Sequence, residues 1–288
     1  MKKTIYSFFF VVLAWAIVGC PNSGKIRKKM PRLFTINFVM ETGAEPSFMI
    51  SDDFNRDGEI DLVVTNSGDN TLSYFKGNGD GTFKSQIIMK TGEDPICVVT
   101  SDFNNNGYLD LAVLNYRDQT INIYFNSRFG TFKKTGITLR PGKIPINMIS
   151  GDFNRDGIND LAVTMRYHKV MILLGKGKGR FKNPIPIKVK GQPTAIVLGD
   201  YDKNKIVDIA VALAGSGKTG VQILWGMGDG TFELSSIIKG GGQPLTLANI
   251  DVDNDGYDDL VSSSNVLHAM TLIRNNRNKT FTTLKDFA

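Results

Sequence analysis

A single acid-rich pattern returns five times along the chain: DFNRDGEIDLVV from Asp53, DFNNNGYLDLAV from Asp102, DFNRDGINDLAV from Asp152, DYDKNKIVDIAV from Asp200 and DVDNDGYDDLVS from Asp251. The copies align without gaps, at spacings of 49, 50, 48 and 51 residues. A unit of this size cannot bury an apolar face alone, so the copies must stack into one continuous body.

Each repeat has the same internal order. A proline stands ahead of each pattern (Pro46, Pro95, Pro145, Pro193, Pro244), and short runs of Val, Ile and Leu follow it. A second apolar run leads to a tight turn that ends in phenylalanine, clearest in GNGDGTF to Phe83 and GMGDGTF to Phe232, with Phe132, Phe181 and Phe281 in the same place. Runs of this length bounded by Gly, Asn and Asp read as strands and turns, and no long helical period is present. One repeat therefore reads as four antiparallel strands, the make-up of one propeller blade. The expected fold is all-β: a five-bladed β-propeller of four-stranded blades with calcium loops. Residues 33–40 and the tail 281–287 compete for the outermost strand of the fifth blade, and an arc closed by a partner chain is the third possibility.

The five DFN-type loops with their trailing hairpin phenylalanines resemble FG-GAP or VCBS repeats, the type that builds the propeller of integrin α subunits. The resemblance spans residues 33–288.

A D-x-[DN]-x-[DN]-G-x-x-D loop offers oxygen ligands at positions 1, 3, 5 and 9, with the carbonyl of position 7, to a cation that takes six or more oxygens. The sets are Asp53, Asn55, Asp57, Asp61; Asp102, Asn104, Asn106, Asp110; Asp152, Asn154, Asp156, Asp160; Asp200, Asp202, Asn204, Asp208; and Asp251, Asp253, Asp255, Asp259. This is Ca²⁺ chemistry, at up to five sites. The bland alternative is that these side chains only cap turns, but converging carboxylates without a cation repel. Affinity should follow carboxylate count, which makes the fifth loop tightest and the second or fourth weakest. Lys205 stands where the other loops have glycine. The regular placement makes the ions structural clips between strands.

The first residues obey another logic. Lys2 and Lys3 precede an apolar run to Val18, then Ile17-Val18-Gly19-Cys20, the pattern of a lipoprotein signal peptide that is too short to be a membrane span. Cys20 is the expected lipidation site and mature N-terminus. The division is then signal 1–19, basic tether 20–32 and propeller 33–288. Pro21 follows Cys20 with no aspartate, which favours the outer membrane or the cell surface. The net charge of +6 resides in the leader and tether: without Lys2, Lys3, Lys25, Arg27, Lys28, Lys29 and Arg32, 27 basic residues face 28 acidic ones. A basic tether beside a membrane suits anionic headgroups, and a near-neutral body gives no footprint for nucleic acid. Cys97, in Ile96-Cys97-Val98-Val99, reads as a core residue.

Two motifs are decoys. ALAGSGKT (212–219) fits a permissive P-loop pattern, yet it falls between two strands rather than before a helix; GKGKG from Gly175 is the hairpin turn. With two histidines, His168 and His268, no familiar triad or zinc site is assembled. Both sit between the second and third strands of their blades, on the face opposite the acid loops. That face would display Tyr116, Arg117, Arg166, Tyr167, His168 and Lys218, residue types suited to an unidentified protein or glycan ligand. The expected function is a calcium-stabilised, lipid-anchored binding or adhesion module without catalysis of its own; the alternative is a carbohydrate-active enzyme that uses the channel.

Overall fold

The computed structural model describes residues 39–127, 129–215, 218–240, 242–264, 266 and 268–284. The leader, Cys20, the tether and residues 33–38 lie outside them. The described chain is twenty strands in five antiparallel sheets of four.

The first blade is β1 (Pro46–Asp52), β2 (Asp61–Asn66), β3 (Thr71–Phe75) and β4 (Ile87–Lys90). The second is β5 (Pro95–Ser101), β6 (Asp110–Asn115), β7 (Thr120–Ser127) and β8 (Thr131–Leu139). The third is β9 (Pro145–Gly151), β10 (Asp160–Met165), β11 (Lys169–Leu173) and β12 (Ile185–Lys188). The fourth is β13 (Gln192–Gly199), β14 (Asp208–Ala214), β15 (Gly220–Gly226) and β16 (Phe232–Ile238). The fifth is β17 (Pro244–Ile250), β18 (Asp259–Ser264), β19 (Ala269–Asn275) and β20 (Phe281–Thr283). Each sheet pairs in sequence order, as expected for meandering blades. Each innermost strand slips register just after its proline, which has no N–H to give the ladder.

Successive side chains of a strand point to opposite faces, and in a propeller both faces meet a neighbouring blade. Hence β6 and β10 are buried throughout, with apolar runs Leu111–Leu114 and Leu161–Val163 between polar residues. Four inter-blade cores result. Phe54, Val63, Leu72 and Tyr74 meet Val98, Leu111, Val113 and Tyr124. Ala112, Leu114 and Ile123 meet Met148, Leu161 and Val163. Val170, Ile172 and Leu174 meet Ile196, Ile209 and Val211. Tyr201, Ala212 and Ile223 meet Leu247, Leu260 and Ile273. Cys97 is buried as expected, and burial pushes its thiol up to about 12.

A second link joins neighbours at the acid-loop face. The aromatic at loop position 2 packs on the hairpin phenylalanine of the next blade: Phe54 on Phe132 at 5.6 Å, Phe103 on Phe181 at 5.9 Å, Phe153 on Phe232 at 5.7 Å and Tyr201 on Phe281 at 6.0 Å between ring centroids. The fifth loop has Val252 there, 41% exposed.

The fourth strand of the fifth blade is β20, so the tail takes the place for which 33–40 also competed; Val39 and Met40 form no strand. Inner strands pack in the order β1, β5, β9, β13, β17, and among the described residues β17 and β1 share no comparable packing. The inner strands surround a cavity of about 970 Å³ lined by apolar and neutral polar side chains, including Ile50, Thr100, Asn147, Ser150 and Thr194.

Candidate metal centres and the opposite face

The first aspartate of each loop closes the turn by accepting backbone N–H groups ahead of it, two in four of the loops and that of Lys205 (2.9 Å) at Asp200. Asp53 takes the N–H of Asp57 (3.1 Å) and of Gly58 (2.9 Å), and Asp102, Asp152 and Asp251 do the same. The position-5 side chain then caps the amide two residues on, as Asp57 does for Glu59 at 3.0 Å and Asn204 for Ile206 at 2.7 Å. The turn requires left-handed backbone at position 6, where Lys205 adopts φ 66° beside glycines at 78–90°. It also requires it at position 4 (Arg56, Asn105, Arg155, Lys203 and Asn254, φ 54–61°), which the sequence pattern did not reveal. Left-handed geometry costs a non-Gly residue about 1 kcal/mol. Lys205→Gly should therefore raise the unfolding free energy by about that amount in urea titration, and an unchanged midpoint would count against strain there.

The ninth aspartate has a role that the ligand reading missed. It is fully buried in all five repeats (Asp61, Asp110, Asp160, Asp208, Asp259). In four of them its two oxygens accept one amide from the loop and one from the end of the third strand. Asp160 takes Phe153 N–H at 2.8 Å and Gly175 N–H at 2.6 Å; Asp208 takes Tyr201 at 3.0 Å and Gly226 at 2.8 Å. Asp110 and Asp259 repeat the arrangement with Asn126 and Asn275. Asp61 takes Gly77 N–H and the Tyr74 hydroxyl at 2.8 Å; burial first, then this carboxylate, drives the Tyr74 phenol up. Burial raises Asp110, Asp160 and Asp208 to about 6, against the opposing pull of those amides.

The structure brings positions 1, 3 and 9 together in two loops: Asp200, Asp202 and Asp208, and Asp251, Asp253 and Asp259, each with oxygens within 4.8 Å of one another. In the first three loops position 3 is Asn55, Asn104 or Asn154, which offers an amide oxygen instead. Asn55 and Asn154 spend theirs on the amides of Asp57 and Asp156. Two loop oxygens, Asp200 Oδ1 and Asn104 Oδ1, are buried with no donor. Such an atom is costly unless something positive faces it, so these loops fit a hard, oxygen-ligated cation. At position 5 of the fifth loop Asp255 pairs with Arg277 Nε at 2.7 Å; in the fourth, Lys279 Nζ lies 2.9 Å from Asp202. Neither cation was singled out in the sequence, although both replace glycines of other hairpins.

The turns between second and third strands lie at the other end of the blades. Their backbones are held by the incoming crossing: Tyr116 N–H bonds Asp94 O at 2.8 Å and Arg166 N–H bonds Ile144 O at 3.0 Å. Tyr116, Arg117, Arg166, Tyr167, His168 and Lys218 are all exposed, Tyr167 at 64%. Tyr167 and His168 are both left-handed (φ 70° and 63°). Of the 212–219 decoy, the described residues connect β14 to β15 without a helix.

Comparisons with known proteins agree with this architecture. No curated protein matches the chain. Among solved structures, it is similar to a protein from Lactobacillus plantarum (TM-score 0.63, 13% identity, 88% of this chain and 73% of that one). It is also similar to a protein from Bacteroides uniformis provisionally named a 6-phosphogluconolactonase (0.64, 14%, 85% and 71%). A third is a protein of unknown function from Desulfotomaculum acetoxidans (0.62, 12%, 86% and 71%). Such distant likeness concerns the fold alone. The sequence model of the FG-GAP-like repeat matches residues 53–113, 102–163, 152–211 and 207–262. Three of these matches begin on the first aspartate of a loop and together they run through most of the blades, so the chain belongs to the FG-GAP-like repeat family.

Proposed function

We propose that the chain is a calcium-stabilised binding module, tethered to the bacterial envelope by a lipid on Cys20, that engages a protein or glycan through the face opposite the acid loops. The observation that carries the reading is the division of labour between the two ends of the blades. At one end acidic groups converge on buried oxygens without donors. At the other, Tyr116, Arg117, Arg166, Tyr167 and His168 stand exposed on consecutive turns of the second and third blades. Tyrosine and arginine supply large contact area and several donors at little entropic cost, and two left-handed residues on one turn are strain of the kind that collects at ligand sites. Calcium fits the loops because they offer only oxygens, in flexible geometry.

The enzyme alternative has weaker support. The residues that line the central cavity carry no ionisable side chain, whereas the raised carboxylates lie in the acid loops. The Bacteroides uniformis propeller shares this fold at 14% identity, which carries no activity across.

The full chain should be screened on arrays of glycans and purified surface proteins, alongside Arg166→Ala/Tyr167→Ala. A ligand held by the wild type and weakened tenfold or more in the variant supports this face; unchanged binding removes it, and turnover of an arrayed sugar supports the enzyme. For the tether, Cys20→Ser should abolish incorporation of radiolabelled palmitate and release the protein from membranes, and a variant that stays labelled would locate the lipid elsewhere.

A further inference from the structure

The fifth hairpin, Asn275-Asn276-Arg277-Asn278-Lys279-Thr280-Phe281, differs in one respect from its counterparts. Its third and fifth residues are cations with left-handed backbone, φ 67° at Arg277 and 62° at Lys279. Glycine holds the Arg277 position in the first, third and fourth hairpins (Gly79, Gly177, Gly228). The second hairpin has Arg128 there, outside the described residues. Glycine holds the Lys279 position in the first four (Gly81, Gly130, Gly179, Gly230). A side chain at these positions is strained whatever the space around it, so a return is expected.

That return is electrostatic. Lys279 Nζ reaches across the blade boundary to Asp202 Oδ2 at 2.9 Å, and Asp202 is one of the three converging carboxylates of the fourth loop. Its ammonium also lies 5.2 Å from the Trp225 ring centre. Arg277 Nε bonds Asp255 Oδ2 at 2.7 Å within the fifth loop, and its guanidinium lies 5.9 Å from the Tyr257 ring centre. Both carboxylate side chains are 8% exposed, so these pairs are shielded on the acid side although the cations are half exposed. The two loops are also the ones in which three carboxylates meet. A fixed cation there neutralises the repulsion that a metal would otherwise relieve.

We propose that Lys279 and Arg277 act as built-in counter-ions that compete with calcium in the fourth and fifth loops, leaving the first three loops as the sites that respond to metal. This rests on the calcium reading above and reverses the order that carboxylate count alone suggests. One hairpin would thereby hold two loops in their closed form independently of calcium.

The test is equilibrium dialysis of the full chain against calcium, comparing wild type with R277G/K279G and with the bulk-retaining R277Q/K279Q, each checked for its β-rich circular dichroism. D53N serves as the control for a first-loop site. The expected result is that both double variants bind additional calcium, with at least tenfold higher affinity at the fourth and fifth loops. They should also melt lower than wild type in chelator and regain that loss in calcium, whereas hairpins that were merely structural would lose stability in both. If D53N removes a calcium equivalent but neither double variant gains one, the counter-ion role is overturned while the calcium reading stands. If no form binds calcium, both fall.

Discussion

Asp160→Ala should lower the unfolding free energy by about 4 kcal/mol, because it strands two buried backbone N–H groups, each worth about 1–3 kcal/mol when left without an acceptor. The amides are those of Phe153 and Gly175, held at 2.8 and 2.6 Å by a carboxylate with no exposure at all. One comes from the acid loop and the other from the turn after β11, so the carboxylate joins three stretches of one blade. Phe153 also packs on Phe232, and its displacement would loosen the boundary with the fourth blade. Urea titration in excess chelator separates this role from metal binding. Asp156→Ala, an exposed turn residue in the same loop, is the comparison and should cost about 1 kcal/mol, the ordinary worth of a cap. Equal losses in the two variants would mean that the ninth aspartate matters only as a ligand.

Stability of the metal-free protein should fall as pH rises from 5 to 7.5, and calcium should remove the larger part of that fall. Burial raises Asp110, Asp160 and Asp208 to about 6, with neighbouring carboxylates adding to the rise and backbone amides opposing it. The unfolded value is about 3.9, so the native state binds the extra protons. The stability these groups contribute is complete below pH about 4 and is lost as pH climbs through about 6. A shift of this size corresponds to at most roughly 3 kcal/mol for each group. Asp255 is held low by the Tyr257 amide and Arg277, and acts in the opposite sense only below the ordinary carboxylate range. A calcium ion in the second and third loops favours the ionised forms of Asp110 and Asp160 and cancels their share of the penalty, while the Asp208 share, in the loop that Lys279 occupies, remains. Thermal melts at pH 5 and 7.5, with calcium and with chelator, check this; a chelated protein equally stable at both values would show that burial does not hold these protons.

Much of the architecture was legible because the repeat is local. The spacing of Asp53, Asp102, Asp152, Asp200 and Asp251, the prolines and the hairpin phenylalanines determined strand number, strand order and the face on which each turn lies. Each repeat folds within itself and pairs only with its own strands. The left-handed position 6 was readable from glycine, including the exception at Lys205. Position 4 was not, since Arg56, Arg155 and Lys203 carry no glycine-like mark of the same backbone state.

What only the tertiary structure decided are the contacts that cross between repeats or leave the ladder. Position 9 looked like one more ligand, and its hold on Gly175 or Gly226 spans strands whose alignment sets the distance. The pairing of Lys279 with Asp202 joins residues 77 apart in number and adjacent only when two blades pack. The last strand likewise rests on pairing, Phe281–Thr283 lying against Ile273–Asn275 of β19 in antiparallel register. Periodicity along the chain determines which face a side chain takes, because a strand has a period of two; which partner waits on that face depends on blades brought together by folding.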